Sequence, residues 1–118
     1  MKQKLHEKQE FANMRDLVER AGDMYSDRVA YSFRAKPHDK EIIKKTFSEL
    51  RDEIRGLTTE LLARGLKGKH CAVIGKCSYS WVRVYFSLLC AGAVIVPLDR
   101  DWTGVDLADT VKRADVEY

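Results

Sequence analysis

The spacing of apolar positions along the chain predicts alternating helices and strands. After a polar start, apolar residues recur every three or four positions from Phe11 to Tyr25, which predicts an amphipathic helix with Asn13 as its N-cap. Residues 28–35 then alternate apolar and small or polar side chains, the pattern of a strand with one buried face. Residues 1–10 lack such a pattern and are predicted to be a flexible N-terminus.

A hairpin and a second helix are predicted next. Residues 36–40 have the composition of a turn, and residues 41–45 are predicted to pair back onto the first strand. Thr46 and Glu49 fit a capping box, and Gly65 is placed to end the helix in a left-handed conformation. One apolar stripe along this helix is predicted to face the core: Leu50, Ile54, Leu57, Leu61 and Leu62.

The stretch from residue 65 to 99 predicts the centre of the fold. Two short apolar runs, 71–74 and 94–98, read as buried strands, and the segment between them is long enough for a helix that Ser78 would cap. Strand, helix and strand in this order form a βαβ unit with parallel strands. The predicted fold is therefore α/β, a layered sheet with a parallel βαβ core and flanking helices.

The last segment predicts one more helix and the beginning of a strand. Residues 103–106 resemble a helix start, and an apolar face follows from Leu107, Ala108, Val111 and Ala114. Residues 115–118 read as the start of a third strand. A parallel sheet seldom stops inside a strand, so this pattern predicts a truncated chain whose residues 11–118 form one incomplete subdomain.

Composition and charge narrow the class of protein. The chain has 118 residues and a net charge of +3 from 21 basic and 18 acidic residues, a balance that does not predict a nucleic-acid or membrane partner. Its three cysteines, Cys71, Cys77 and Cys90, favour a reducing compartment over a disulfide framework. Because no secretory signal pattern and no apolar stretch of membrane-spanning length occurs, the expected location is the cytoplasm.

Gly75-Lys76 has the position of a phosphate-binding loop, between a strand and a helix. The full motif requires glycine where this chain has His70, and serine or threonine where it has Cys77. With two required positions missing, the segment is interpreted as a strand-to-helix turn with at most a weak preference for anions at the helix start.

Other chemistry-bearing residues also favour structural interpretations. Asp99, Asp101 and Asp106 follow a strand end, where they could hold Mg²⁺ or accept a phosphoryl group, but capping and solvation explain them better. The histidines are His6, His38 and His70, and none has metal-ligand spacing. The cysteines Cys71 and Cys77 are expected to behave as small apolar residues. An aromatic group on the central helix is expected to be core: Trp81, Tyr85 and Phe86.

The order of segments resembles the N-terminal part of the adenylate-forming, or AMP-binding, enzymes. The segments that carry this resemblance are DRVA at 27–30, TFSEL at 46–50, LARGL at 62–66, AVI at 72–74, SYSW at 78–81, AGAV at 91–94 and VPLD at 96–99. Within that superfamily, VPLDRDW at 96–102 is most similar to bacterial long-chain fatty acyl-CoA ligases.

The resemblance implies an ATP-dependent parent ligase that forms an acyl-adenylate and then a CoA thioester, using ATP, Mg²⁺ and CoA. It also implies that the phosphate loop, the nucleotide-binding segments and the catalytic lysine lie outside these 118 residues. No catalytic, cofactor-binding or metal-binding residue is therefore assigned, and the chain alone is predicted to be inactive and to bind no cofactor. Its expected partners are the remainder of the ligase and, in the parent enzyme, a fatty acid or other carboxylate.

Two other interpretations stay open on the residues alone. A small α/β binding or assembly module would act through its surface, with possible self-association at an exposed sheet edge. A flavodoxin-like or receiver-like domain is the weaker alternative, because the acidic pair and lysine that a receiver requires are not placed as expected.

Overall fold

The structure is a computed structural model that describes residues 7–118. Its elements follow the chain in this order: α1 (Met14–Met24), β1 (Val29–Phe33), β2 (Ile43–Thr46), α2 (Phe47–Ala63), β3 (His70–Ile74), α3 (Tyr79–Cys90), β4 (Val94–Leu98) and α4 (Gly104–Arg113). The predicted α/β order is confirmed, but the four strands form two separate two-stranded sheets. Residues 7–10 have no regular structure, and the rest of the predicted flexible N-terminus lies outside the described residues.

The first helix begins at its predicted cap. The Asn13 side chain accepts a hydrogen bond from the backbone N–H of Asp16, which satisfies one of the free donors of the first turn. Val18 and Gly22 are buried on the face that meets α2. The 3–4 spacing of apolar residues thus predicted the helix and the inward position of Val18, whereas Phe11, where the spacing begins, lies before the helix and is 41% exposed.

The first sheet is the predicted antiparallel hairpin. Tyr31 pairs with Lys45 and Phe33 with Ile43, and all four side chains are half-buried. The alternation was predicted to bury Val29 as well, but this residue is 47% exposed. A register irregularity between Val29 and Tyr31 breaks the period-two pattern there, so Val29 no longer shares the buried face.

Helix α2 confirms the capping box. The Thr46 hydroxyl accepts from the Glu49 N–H at 3.2 Å, and the Thr46 N–H donates to the Glu49 carboxylate at 2.8 Å. The predicted stripe is wrong at Leu62, which is 41% exposed, whereas Thr58 is buried at 6% exposure. The contact with α3 causes the difference, because Thr58 lies against that helix and donates from Oγ1 to the Ser87 carbonyl oxygen.

The second sheet and α3 form the predicted βαβ unit. Strands β3 and β4 are parallel, and Cys71 pairs with Ile95. Cys71, Val73 and Leu88 are buried in a cluster between this sheet and α3. Ser87, a polar residue on the helix, is 0% exposed because α2 packs closely against α3 there.

The end of the described chain differs from its prediction. Helix α4 starts at its Thr103 cap, but none of its residues is buried, so the predicted apolar face is only partly covered. Residues 116–118 form no assigned strand. They nevertheless lie beside β3, where the Glu117 N–H donates to the His70 carbonyl and the Ala72 N–H donates to the Tyr118 carbonyl.

Candidate functional site

The candidate ligand-facing region is the crevice at the carboxyl ends of β3 and β4. In open parallel sheets, ligands bind outside this edge. The loop that starts at Gly75 and the loop that starts at Asp99 leave the two strands side by side and enclose an open cleft of about 240 Å³. A second open hollow of about 430 Å³ shares Gly75 and Trp81 with this cleft and is also lined by Lys76 and Ser78.

Gly75 determines how the first loop leaves β3. Its φ of 154° lies in the range that side-chain-bearing residues rarely adopt, and a Cβ there would lie 3.8 Å from the Trp81 ring. The chain then turns into α3, where the Ser78 hydroxyl accepts from the Trp81 N–H at 3.2 Å. The geometry is that of a capped strand-to-helix turn, in agreement with the interpretation of Gly75-Lys76 from the sequence.

The three carboxylates near this edge do not converge on a common point. The Asp99 carboxylate accepts from the Asp101 N–H at 2.9 Å. Asp106 accepts from the Thr103 hydroxyl at 2.7 Å, at the start of α4. Within residues 7–118, no group of three His, Cys, Asp or Glu side chains is placed to hold a metal ion. The described residues do not fit the Mg²⁺ site of an ATP-dependent enzyme, so no step is assigned to that ion here.

The aromatic side chains of α3 lie partly against the core and partly along the crevice. Trp81 stacks on Tyr85 with ring centroids 5.1 Å apart, and Tyr85 meets Phe86 edge-on at 5.9 Å. All three were expected to be core, but each is only half-buried, and Trp81 lines both hollows. Among the aromatic residues of the described chain, only Tyr79 is buried, at 8% exposure.

The histidine and cysteine side chains differ in how deeply they are buried. The His70 ring lies 2.7 Å from the Ala114 carbonyl oxygen and thereby links β3 to the end of α4. Cys71 is buried, and burial raises the pKa of its thiol. Cys77 is exposed in the first loop of the crevice. His38 is exposed on the hairpin turn, and His6 lies outside the described residues.

A polar cluster that the sequence did not predict joins three elements. The Glu53 carboxylate on α2 accepts from Lys45 Nζ at 2.7 Å, from the Tyr79 hydroxyl at 2.9 Å and from Arg83 Nη1 at 3.0 Å. The Tyr79 ring stacks on Phe33 of the hairpin at 5.1 Å. Glu53 follows Leu50 by three positions, which places it beside the apolar stripe, and this spacing is the signal that could have identified it.

The charged groups of this cluster stabilise one another in their ionised forms. Partial burial opposes ionisation of Glu53, but hydrogen bonds from Lys45, Tyr79 and Arg83 outweigh it and hold the pKa of the carboxyl below its ordinary value. Burial, followed by the bond to Glu53, raises the pKa of Tyr79. The cluster is thus a fixed ionic junction that positions the start of α3, which is one wall of the crevice.

Comparison with known proteins identifies the family. The model of the AMP-binding enzyme family matches residues 18–118, and the chain belongs to that family. A curated relative from Rhodococcus jostii is 29% identical over 72 residues, which are 60% of this chain and 14% of the relative. That relative is a propanoyl:CoA ligase whose acyl group carries a 7a-methyl-1,5-dioxo-octahydro-indenyl substituent.

Solved structures confirm the fold class. The N-terminal subdomain of Klebsiella oxytoca NpsA matches with a TM-score of 0.79 and 22% identity, over 90% of this chain and 26% of that one. NpsA in complex with 3-hydroxyanthranilyl-AMSN matches with a TM-score of 0.80 and 22% identity, over 92% of this chain and 21% of that one. The chain has the α/β fold of the N-terminal subdomain of adenylate-forming enzymes and spans between about a seventh and a quarter of these relatives.

In the part of the chain that the structure describes, no helix is both long and apolar enough to cross a membrane.

Proposed function

We propose that this chain is part of an ATP-dependent, AMP-forming acyl-CoA ligase that acts on fatty acids. In the first step, the carboxylate oxygen of the acid attacks the α-phosphorus of ATP and displaces pyrophosphate. In the second step, the thiol of CoA attacks the acyl carbon and displaces AMP, which leaves the thioester. Both steps develop negative charge on oxygen and require positive groups or hydrogen-bond donors around the reacting atoms.

The observation that carries the proposal is the family match across residues 18–118. Support for CoA as the acceptor comes from the curated CoA ligase that shares 72 aligned residues with this chain. Support for a fatty acid is the similarity of VPLDRDW, at residues 96–102, to long-chain fatty acyl-CoA ligases.

The role proposed for these residues is structural. Among residues 7–118, the crevice and the hollow beside it present two basic side chains, Lys76 and Arg100, and no group of three His, Cys, Asp or Glu side chains placed to hold a metal ion. This is too little for a complete adenylation site. The βαβ unit and the Glu53 junction would hold the scaffold on which the remainder of the enzyme places its reacting groups. We assign no catalytic, nucleotide-binding or metal-binding residue to this chain.

Thioester formation by the parent protein tests the substrate class. The protein translated from the whole reading frame that encodes this chain would be incubated with ATP, Mg²⁺, CoA and single acids. Octanoate and palmitate would represent fatty acids, and benzoate and anthranilate would represent aromatic acids.

The proposal predicts acyl-CoA from the fatty acids, with AMP released in equal amount. Thioesters from the aromatic acids alone would contradict the substrate class. Acyl-adenylate that persists when CoA is present would contradict CoA as the acceptor.

A further inference from the structure

The positive charge of this protein is concentrated in the β1–β2 hairpin. The segment from Val29 to Thr46 contains five basic and two acidic residues, so it carries a net charge of +3. The whole chain also has a net charge of +3, which leaves the other 100 residues neutral, with 16 basic and 16 acidic side chains. The even balance of the total composition therefore conceals a strongly basic hairpin.

Most of this charge is not neutralised by neighbouring carboxylates. Lys45 faces inward to Glu53, and among residues 7–118 it is the one cation of the hairpin with a carboxylate within 4.0 Å. The other four basic side chains are exposed: Arg34, Lys36, Lys40 and Lys44. We call these four residues the basic hairpin patch. The same segment contains Asp39 and Glu41, and the Asp39 carboxylate accepts from the Lys36 backbone N–H at 3.0 Å. Four cations against these two carboxylates leave a net charge of +2, which attracts a surface of opposite charge.

The strand register explains why the patch faces outward. Tyr31 and Phe33 pair with Lys45 and Ile43, and both aromatic rings pack against Tyr79. Because side chains alternate along a strand, the opposite face carries Ser32 and its partner Lys44, which are both exposed. The hairpin therefore separates an aromatic inner face from a basic outer face.

The side chains around the patch favour a lipid surface over a nucleic acid. The aromatic rings of the hairpin are engaged in the core and cannot offer a stacking platform for unpaired bases. Ile42, 49% exposed between Lys40 and Lys44, adds an apolar side chain that can enter a headgroup layer.

We propose that the outer face of the β1–β2 hairpin binds an anionic phospholipid surface, with the basic hairpin patch against the headgroups and Ile42 inserted at their boundary. This is peripheral binding and involves no membrane-spanning element. The attraction acts over about one Debye length, so it weakens steeply as salt is raised.

Vesicle co-sedimentation tests the proposal directly. The 118-residue chain would be mixed with vesicles of phosphatidylcholine alone or with about one third phosphatidylserine. We expect binding to the anionic vesicles at about 0.1 M salt, where the Debye length is about 10 Å, and release at about 1 M, where it is about 3 Å. The double variant Arg34→Gln/Lys44→Gln should bind the anionic vesicles about 30-fold more weakly.

Matched control variants distinguish the contribution of the basic hairpin patch from that of the protein's overall charge. Lys67→Gln/Lys112→Gln removes the same net charge from exposed positions outside the hairpin and should leave binding within about threefold of the parent. Ile42→Ser should weaken binding about fivefold, whereas Val105→Ser, at a residue that is 80% exposed on α4, should not. Circular dichroism would confirm that each variant is folded.

Three results would overturn the proposal. One is equal binding to neutral and anionic vesicles, and another is an equal loss of binding in the two double variants. The third is tighter binding to poly(U) RNA than to anionic vesicles at the same salt concentration, which would assign the patch to nucleic acid.

Discussion

Replacing Glu53 by glutamine should destabilise the contact between α2, the hairpin and α3. Glutamine keeps the size of the side chain but removes the charge that Lys45 and Arg83 share. Glu53 is the carboxylate that stabilises the Arg83 guanidinium, because it accepts from Nη1 of that side chain. The buried Nε of Arg83 has no hydrogen-bond partner within residues 7–118. The substitution leaves two cations near one another without the carboxylate that bridges them.

The geometry gives the size of the effect. Hydrogen bonds to a charged group contribute about 1.5–3 kcal/mol each when well formed, whereas exposed ion pairs contribute about 0–1 kcal/mol. The Glu53 side chain is 27% exposed, so its interactions should contribute an energy between that of a well-formed charged hydrogen bond and that of an exposed ion pair. Glutamine can still accept from Tyr79, so we expect a loss of about 2 kcal/mol in the free energy of unfolding. For a domain of this length, that corresponds to a decrease in Tm of about 8 °C.

The effect should depend on pH with a defined sign. Because the pKa of Glu53 is lower in the folded state than its ordinary value of 4.5, its ionised form stabilises the fold above that value. This stabilisation is lost as the pH falls below 4.5 and through the folded-state pKa. The difference between parent and variant should therefore be constant near neutral pH and should shrink in acid.

Urea unfolding of the parent and of Glu53→Gln at pH 7 and pH 3.5 measures this difference. Glu60→Gln is the matched control, since Glu60 is on the same helix, is 57% exposed and, among residues 7–118, pairs only with Arg64. The control should change the unfolding free energy by less than about 0.5 kcal/mol. Equal stability of parent and Glu53→Gln at pH 7, or a difference that stays the same at both pH values, would show that the ionised Glu53 carboxylate does not stabilise the fold.

Further substitutions test the turns and the packing of helices. Gly75→Ala should lower the unfolding free energy by about 1 kcal/mol, because the φ of 154° at this position is unfavourable for alanine. Gly56→Ala in α2 should raise it by about 0.5–1 kcal/mol, because alanine favours the helix and an added Cβ meets nothing within 4 Å. Urea titration of both variants checks the opposite signs, and a loss at both positions would show that the local conformations are misassigned. Ser87→Leu should cost about 1–3 kcal/mol by overpacking the contact with α2, more than Ser87→Ala, and thermal unfolding measures the order.

Features that depend on neighbouring residues in sequence were predictable. The Asn13, Thr46, Ser78 and Thr103 caps are each satisfied within three residues of the chain, so the pattern of side chains is sufficient to locate them. The left-handed Gly65 is another case, since a helix end and a glycine coincide there. The parallel βαβ unit followed from the lengths of its apolar runs.

Features that depend on contacts between distant elements were not predictable. Thr58 and Ser87 are polar, and only the close approach of α2 to α3 makes them buried and mutually bonded. Glu53 acquires its role from residues 8, 26 and 30 positions away. The exposure of Leu62 and the irregular register near Val29 likewise arise from tertiary packing, which the periodicity of one segment does not contain.

The candidate site shows the same division. The sequence was sufficient to reject a phosphate-binding loop at Gly75-Lys76, because that motif is defined by consecutive residues. The sequence was not sufficient to predict that Trp81 lines both the cleft and the neighbouring hollow, since this depends on where α3 lies against β3 and β4.

ATP–pyrophosphate exchange by the 118-residue chain tests most directly the claim that it is a scaffold without its own adenylation chemistry. The assay would use radiolabelled pyrophosphate, ATP, Mg²⁺ and either palmitate or anthranilate, with Klebsiella oxytoca NpsA and anthranilate as the comparison enzyme. We expect the chain to incorporate no more label into ATP than a reaction without protein does. Carboxylate-dependent incorporation above that level would contradict it.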